Sequence, residues 1–465
     1  MFNSKYLGVL SSFWPLLLVG AAPLDSPLRP VVELEETVYT YVSANNGAGP
    51  MWCAGSTCLF RSDDRLYATG LETVPDAKPL NNCRWVLFER SSPGWQRRYV
   101  DDGLTREPAP LVGFDDGRVW VSGNPTLGTG PEPGGGPAKP ELWAFSGTFS
   151  DPPTRHFPEW KGTPSFREHS YRSFAADGPN AELIILQNIG YGYAEWSFRD
   201  ADGQWPAKGQ LQWPIGHDYE PTIPVRLCYP NVALVNRAVH FFGIGDIVEP
   251  NPTWRQFKHE LTGNRWDYVF RRLYYAWTPD IIDEPFSSWT EIASREATAG
   301  FIWPCDLWID GHGRAHLLWT ERALDERLRE RFFPEGQQSH TLNYAVIEQG
   351  KEIRRHRLLE STDSRPGLVS GRARFHVLPN EALLVVAYVS GTDVDGRTVA
   401  ENRVGRIDED GTLRQFVTVP LERPFTNFFT ATPRGGSKPS NILEFLGTVS
   451  GGGQAIGYAK VRIEP

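Results

Sequence analysis

Asp306-Leu-Trp-Ile-Asp-Gly-His-Gly-Arg-Ala-His-Leu-Leu-Trp-Thr320 contains an apolar strand, a turn built from Asp310, Gly311 and Gly313, and a second, more strongly apolar strand. Thr341-Leu-Asn-Tyr-Ala-Val346 supplies a third strand. Short apolar runs bounded by turn residues read as neighbouring strands of one antiparallel sheet. The same unit recurs along the chain, at Thr57–Ala68 with Arg84–Phe88, Ala109–Ser122 with Glu141–Phe145, and Tyr171–Leu186 with Tyr193–Phe198. Further copies are Tyr229–Phe242 with Arg272–Trp277, Arg374–Val389 with Asn402–Ile407, and Asn427–Gly447 with Ala455–Val461. With Asp306–Val346 they make seven.

A lone sheet of three or four short strands cannot cover both of its faces. Sheets stacked radially about an axis cover one another and leave only short edges, so the repeat implies an all-β fold, a seven-bladed β-propeller. Six or eight blades also fit the spacing, and two β-sandwiches are the competing architecture. Val31–Val42 alternates in polarity before the first unit, so it is expected to donate the outer strand of the last blade and close the ring. Composition agrees: 45 Gly, 38 Pro and 58 aromatic residues (17 Trp, 16 Tyr, 25 Phe) among 465 favour short strands and turns over long helices.

Forty per cent hydrophobic and 22% charged residues are globular values, and a net charge of −9 argues against nucleic acid as a partner. Residues 1–21, with Lys5, a short apolar run and Gly20-Ala21, read as a secretory signal peptide, leaving 22–465 as a single propeller domain, secreted or periplasmic. No later run reaches the roughly 18 apolar residues of a membrane span, so no integral membrane association is expected. The chain is expected to act as a monomer. An oxidising compartment would allow one disulfide, Cys53 or Cys58 with Cys83. Cys-x4-Cys without a second pair is a poor zinc signature, so no metal and no cofactor are expected.

Two insertions break the rhythm. Gly128–Pro140 is a Gly/Pro loop in the second unit, and Glu249–Tyr268 is long and aromatic. Ala323, Leu324, Leu328, Phe332 and Phe333 keep helical spacing and predict an amphipathic helix over 321–333.

Innermost strands line a propeller's axis, so polar residues entering them are candidates to converge at one channel mouth. They are Arg61, Arg106, Glu107, His169, Tyr171, Arg172, Arg226, Tyr229, Asp306, Arg372, Arg374 and Asn427. Each alone has a structural reading. Together, arginines, a histidine and tyrosines suit a carboxylate or sulfate ester, which guanidinium groups pair bidentately. Hydrolysis would need facing carboxylates, for which Glu107, Asp306 and Glu321 are the donors available.

Phe60-Arg61-Ser-Asp-Asp64 resembles the start of the sialidase superfamily, and Asp202-Gly203-Gln204-Trp205 resembles its Asp-box turn. The stretch from His169-Ser-Tyr-Arg172 through Cys228-Tyr-Pro-Asn231 to Val239-His-Phe-Phe242 is similar to bacterial-neuraminidase-repeat propellers of the ulvan-lyase type. That resemblance implies an acidic polysaccharide as partner, His169 and Tyr229 handling the proton at C5 of a uronic acid, and an arginine neutralising its carboxylate. Two positions depart from the pattern. Asn188–Tyr191 stands where a second histidine is expected, and Phe242-Gly243 stands where Phe-Arg is expected, which leaves neutralisation to Arg226, Arg271 or Arg272. The alternatives to elimination are a sialidase-like hydrolase and a propeller that binds a glycan or protein without catalysis, using aromatic rings at the channel mouth.

Overall fold

The computed structural model describes residues 27–464 apart from 53, 64, 78–79 and 129–132, so the expected signal peptide lies outside the described residues. Seven four-stranded antiparallel sheets are arranged as seven blades. The innermost strands are Leu59–Ser62, Leu111–Gly113, Arg172–Asp177, Leu227–Val235, Phe301–Ile309, Leu368–Val377 and Phe425–Phe429.

The ring is visible in the cores. Side chains alternate along a strand, so each inner or middle strand offers one row of apolar groups to the preceding blade and the other row to the next. In Glu182–Ile189 of blade 3, Leu183 and Ile185 pack with Val112 and Trp120 of blade 2. Ile184 and Leu186, on the opposite face, pack with Val232 and Phe241 of blade 4. Blades 6 and 7 share Val386, Val404, Phe428 and Phe445, and blades 7 and 1 share Phe429, Leu446, Leu59 and Leu66.

Closure is as the sequence implies. Arg29–Thr40 is the outer strand of blade 7, running antiparallel to Ala455–Glu464 from Arg29↔Glu464 to Thr40↔Ala455. Tyr39 seals the seam, with its ring stacked on Phe88 of blade 1 at 5.0 Å and its hydroxyl accepting a hydrogen bond from the Leu71 amide.

Acidic turns join many strands. Asp310 Oδ1 accepts from the amides of His312 and Arg314, each at 2.9 Å, while Gly313 takes the left-handed conformation that L side chains avoid. Asp393 repeats the device in blade 6, accepting from Asp395 and Arg397.

Helix α1, Pro252–Thr262, was not evident from hydrophobic spacing, although Asn251 caps it, Pro252 begins it and Gly263 ends it. Helix α2 is shorter than expected, Glu326–Phe332, and Asp325 is its cap. The strand Ala315–Arg322 keeps its ladder to Arg322↔His340, so Glu321 stands on a strand and not on a helix. The two helices pack by Trp254 against Phe333 and Phe257 against Phe332, at 5.6 and 5.4 Å.

The thiols of Cys58, Cys83, Cys228 and Cys305 are free and buried, which corrects the Cys58–Cys83 disulfide; Cys53 lies outside the described residues. Among the described residues, no helix is long and apolar enough to cross a membrane.

Candidate active site

A cleft of about 780 Å³ opens where the chain enters the inner strands of blades 3 and 4. His169 and Tyr171 precede the strand Arg172–Asp177, and Arg226 precedes Leu227–Val235. Asn188 and Ile189 end the second strand of blade 3, Gly190 and Tyr191 lie in the turn after it, and Asp246 follows the second strand of blade 4. Trp52, Arg106, Arg167, Tyr229, Tyr268 and Phe270 complete the wall, with Gly134 from the Gly/Pro insertion. Of the sequence candidates, His169, Tyr229, Arg106, Tyr171 and Arg226 therefore line one cavity.

Among the described lining residues, three arginines face a single carboxylate, Asp246. Asp246 is ion-paired with Arg226, and burial holds its pKa above the usual aspartate value. Arg226 lies over the ring of Tyr191 at 4.2 Å and those of Tyr171 and Tyr268 at 5.5 Å. Tyr191 and Tyr268 join through their hydroxyls at 2.8 Å. The arginines thus outnumber the carboxylates on the cleft lining itself, with Glu107 and Glu168 buried behind it.

His169 is the titratable centre of this wall. Its side chain is 32% exposed, and Nε2 lies 3.4 Å from Oε1 of the fully buried Glu107. An Nη1 of Arg106 contacts both ring nitrogens, at 3.0 Å for Nε2. Burial first, then the charges of Arg106 and Arg226, lower the imidazole pKa to about 4, so the ring is neutral at ordinary pH. Arg106 is itself positioned by Glu168, which accepts from its backbone amide at 2.7 Å and from Thr105 at 2.6 Å. Its guanidinium also lies over Trp52, at 5.7 Å.

Tyr229 occupies a strained position. Its φ of +47° is rare for a side chain of this size, and the ladder is interrupted between Cys228 and Asn231. Gly55 explains why the backbone can lie there: a Cβ on Gly55 would come within 2.1 Å of the Tyr229 carbonyl oxygen. The Tyr229 ring sits between Tyr171 at 5.1 Å and Trp303 at 4.6 Å.

The other candidates lie elsewhere. Arg61 points to the opposite end of blade 1, where it bonds the Ile442 carbonyl and pairs with Glu444 at 3.5 Å. Arg172 is buried in the channel and donates to Pro108 O at 3.0 Å. Asp306 is also in the channel, accepting from Arg434 Nε and the Phe375 amide at 3.0 Å. Arg271 belongs to a buried network with Glu249 and Lys258 under α1. Arg272 faces the outer side of blade 4, held by Asp218 and Glu291. Neither of these two arginines lines the cleft that the absent Phe-Arg would have served. Glu321 bonds Arg295 and the Trp319 indole, both at 2.6 Å, and lines a separate pocket. Sequence reasoning missed Asp246 and Tyr268, which lie outside the inner strands, and its only hint at Tyr191 was the departure at Asn188–Tyr191. No group of three or more His, Cys, Asp or Glu side chains suited to a metal occurs among the described residues.

No family model and no curated protein matches the chain. Among solved structures, the chain is similar in arrangement to the GH93 α-L-arabinofuranosidase of Fusarium graminearum, at 9% identity over 76% of this chain and 91% of that one, TM-score 0.37. It is similar to the Penicillium chrysogenum α-L-arabinanase, at 9% identity over 76% and 93%, TM-score 0.38. A subtype N11 neuraminidase-like protein of A/flat-faced bat/Peru matches at 10% identity over 80% and 93%, TM-score 0.34. The propeller assignment rests on the seven sheets and their shared cores in this chain.

Proposed function

We propose that the protein is an exported carbohydrate-active propeller that cleaves a uronic-acid-containing polysaccharide by β-elimination at the His169 cleft. The observation that carries this reading is a neutral imidazole in contact with an arginine, within a cleft whose described lining holds three arginines and one already paired carboxylate. The apolar leader of residues 1–21 supports export.

Abstraction of the C5 proton of a uronate is difficult until its carboxylate charge is neutralised. A guanidinium placed beside the base meets that need. In the unliganded cleft Arg106 rests on the ring nitrogens of His169. A substrate carboxylate is a stronger acceptor than neutral imidazole, so it draws the guanidinium to itself and frees a nitrogen lone pair. His169 then takes the C5 proton, the electron pair forms the C4–C5 double bond, and the C4–O bond breaks. Tyr229 is the assigned donor of the proton that the leaving oxygen takes up; His169 then passes the C5 proton to water, and water returns a proton to the Tyr229 phenolate. The tyrosine and tryptophan rings of the wall offer sugar faces a stacking surface. Hydrolysis by carboxylates on both sides of a sugar is less well served, because Asp246 is held by Arg226.

A panel of acidic polysaccharides, read simultaneously for the ultraviolet absorbance of unsaturated uronate and for reducing ends, tests the proposal. Both signals should rise together on at least one uronate polymer. Reducing ends without unsaturation would establish hydrolysis instead, and binding with neither signal would leave a glycan-binding propeller.

A further inference from the structure

The cleft does not end at Tyr229. A neighbouring hollow of about 300 Å³ shares Trp52 and Tyr229 with it and continues to Trp303 and Arg372. A third, of about 290 Å³, shares Trp303 and Arg372 with the second and adds Phe301, Arg322 and His340. A row of rings runs underneath: Tyr171 to Tyr229 at 5.1 Å, Tyr229 to Trp303 at 4.6 Å, Trp303 to Phe301 at 6.0 Å. The three cavities form one aromatic-floored track from blades 3 and 4 to blades 5 and 6.

The far end of this track carries charge without partners. Arg372 lies over the Trp303 ring at 4.2 Å and Arg322 over Phe301 at 5.6 Å. Elsewhere on this chain, arginines such as Arg271, Arg272 and Arg295 meet carboxylates. Among the described residues, the guanidinium groups of Arg372 and Arg322 have neither a hydrogen bond nor an ion pair, and Arg322 Nε is buried without an acceptor.. The nearby carboxylate, Glu321, is committed to Arg295 and Trp319. His340 adds no negative charge, and burial together with Arg322 lowers its pKa.

We infer that Arg372 and Arg322 form a second anion-binding subsite, which takes a carboxylate or sulfate ester carried by the same polysaccharide chain several sugars away from the cleft at His169. The inference deepens the proposed function and rests on its substrate class, though not on its chemistry. A half-buried arginine facing an open hollow gains most from a planar oxyanion that accepts two of its N–H groups. The ring track between the two charged ends matches a polymer whose sugars stack by their apolar faces. Such a protein grips an internal stretch of chain and cuts within it.

Calorimetric titration of the full chain with uronate oligosaccharides, from the disaccharide to the hexasaccharide, tests the subsite by binding alone, with inorganic sulfate as a second probe. Affinity should rise with length. Arg372→Met, which keeps the stem over Trp303, should weaken the hexasaccharide roughly 10- to 100-fold, as expected for losing a charge-assisted bond, and leave the disaccharide unaffected. Arg322→Met should behave alike, and in both variants sulfate should compete less strongly with the hexasaccharide while its effect on the disaccharide stays unchanged. Hexasaccharide affinity unchanged in both variants, each with a wild-type melting temperature, would overturn the inference. So would a wild-type chain that binds no acidic oligosaccharide. Length-dependent, Arg372-dependent binding without any unsaturated product would sustain the subsite and refute the elimination chemistry.

Discussion

Replacing His169 with Asn isolates the proton acceptor from the rest of the cleft. The imidazole has its pKa lowered to about 4, so at pH 7 only about one ring in a thousand carries the proton. A base that is already neutral contributes its full effect, and its removal should reduce kcat on the order of 10²- to 10⁴-fold, equivalent to about 3–5 kcal/mol of barrier. The fold should tolerate the change. The side chain is about one-third exposed, and Arg106 keeps its anchor through Glu168 and its ring contact with Trp52, so the melting temperature should move by no more than a few degrees.

The pH profile separates this role from a structural one. A general base must be unprotonated, so kcat/KM of the native chain should be flat above the folded pKa and fall about tenfold per unit below it. The bend belongs near pH 4, not near the 6.5 of an unperturbed histidine. Initial rates of uronate unsaturation, collected where circular dichroism is unchanged, provide the curve, and the Asn variant should lack the acidic bend. Full turnover in the variant would refute the assignment of His169. A bend near 6.5 would refute the reading that burial, with Arg106 and Arg226, holds the ring neutral.

Tyr229→Phe keeps the ring between Tyr171 and Trp303 and removes only the hydroxyl; as the assigned donor, its loss should lower turnover by a similar 10²- to 10⁴-fold factor with an unchanged melt, and native-like turnover would move the acid to another tyrosine of the wall. A chain beginning at Asn46 lacks the strand Arg29–Thr40 and the Tyr39 seal. It should melt lower and aggregate in a concentration-dependent way because blade 7 then has an open edge; unchanged thermal stability would contradict closure by that strand. His240 is buried on the Tyr275 hydroxyl at 2.7 Å, and burial lowers its pKa to about 3. With the folded value below the unfolded one, the unfolded chain binds the proton first as pH falls. The stabilisation is complete above about pH 6.5 and declines below it. The gap in melting temperature between the native chain and His240→Gln should therefore narrow from pH 7 towards pH 4, and a constant gap would count against a neutral buried ring.

The blades were legible because each strand must serve two neighbours. Leu183 and Ile185 serve one core while Ile184 and Leu186 serve the next, and that demand writes a dense apolar alternation into every unit. The closing strand was legible for the same reason. Helix ends were not: apolar spacing from Ala323 to Phe333 continues through residues whose backbone is held elsewhere, and the ladder up to Arg322 defers the first helical turn to the Asp325 cap. The rule that polar residues entering inner strands converge succeeded at His169, Tyr171 and Arg226, which stand just before their strands. It failed for Arg61, third in a four-residue strand, and for Asp306, sixth in Phe301–Ile309, because an inner strand passes through the channel and its later residues face the interior or the far end.

What most limits reading this site from the sequence is that pairing decides an arginine's role, and pairing is long-range. Arg61 meets Glu444 across 383 residues and Arg434 meets Asp306 across 128. Such an arginine is neutralised inside the fold and has little left to offer a ligand. Arg106, Arg372 and Arg322 look no different in the sequence, yet their guanidinium groups face imidazole, indole and phenyl rings. An aromatic face lowers the energy of a cation by a modest amount and leaves its N–H groups available. A half-buried guanidinium in that state gains from an incoming oxyanion what a salt-bridged one has already gained from a carboxylate. On the proposed reading, three such groups placed along one aromatic track would meet an anionic polymer laid across the propeller face, while the blades beneath are held by apolar cores.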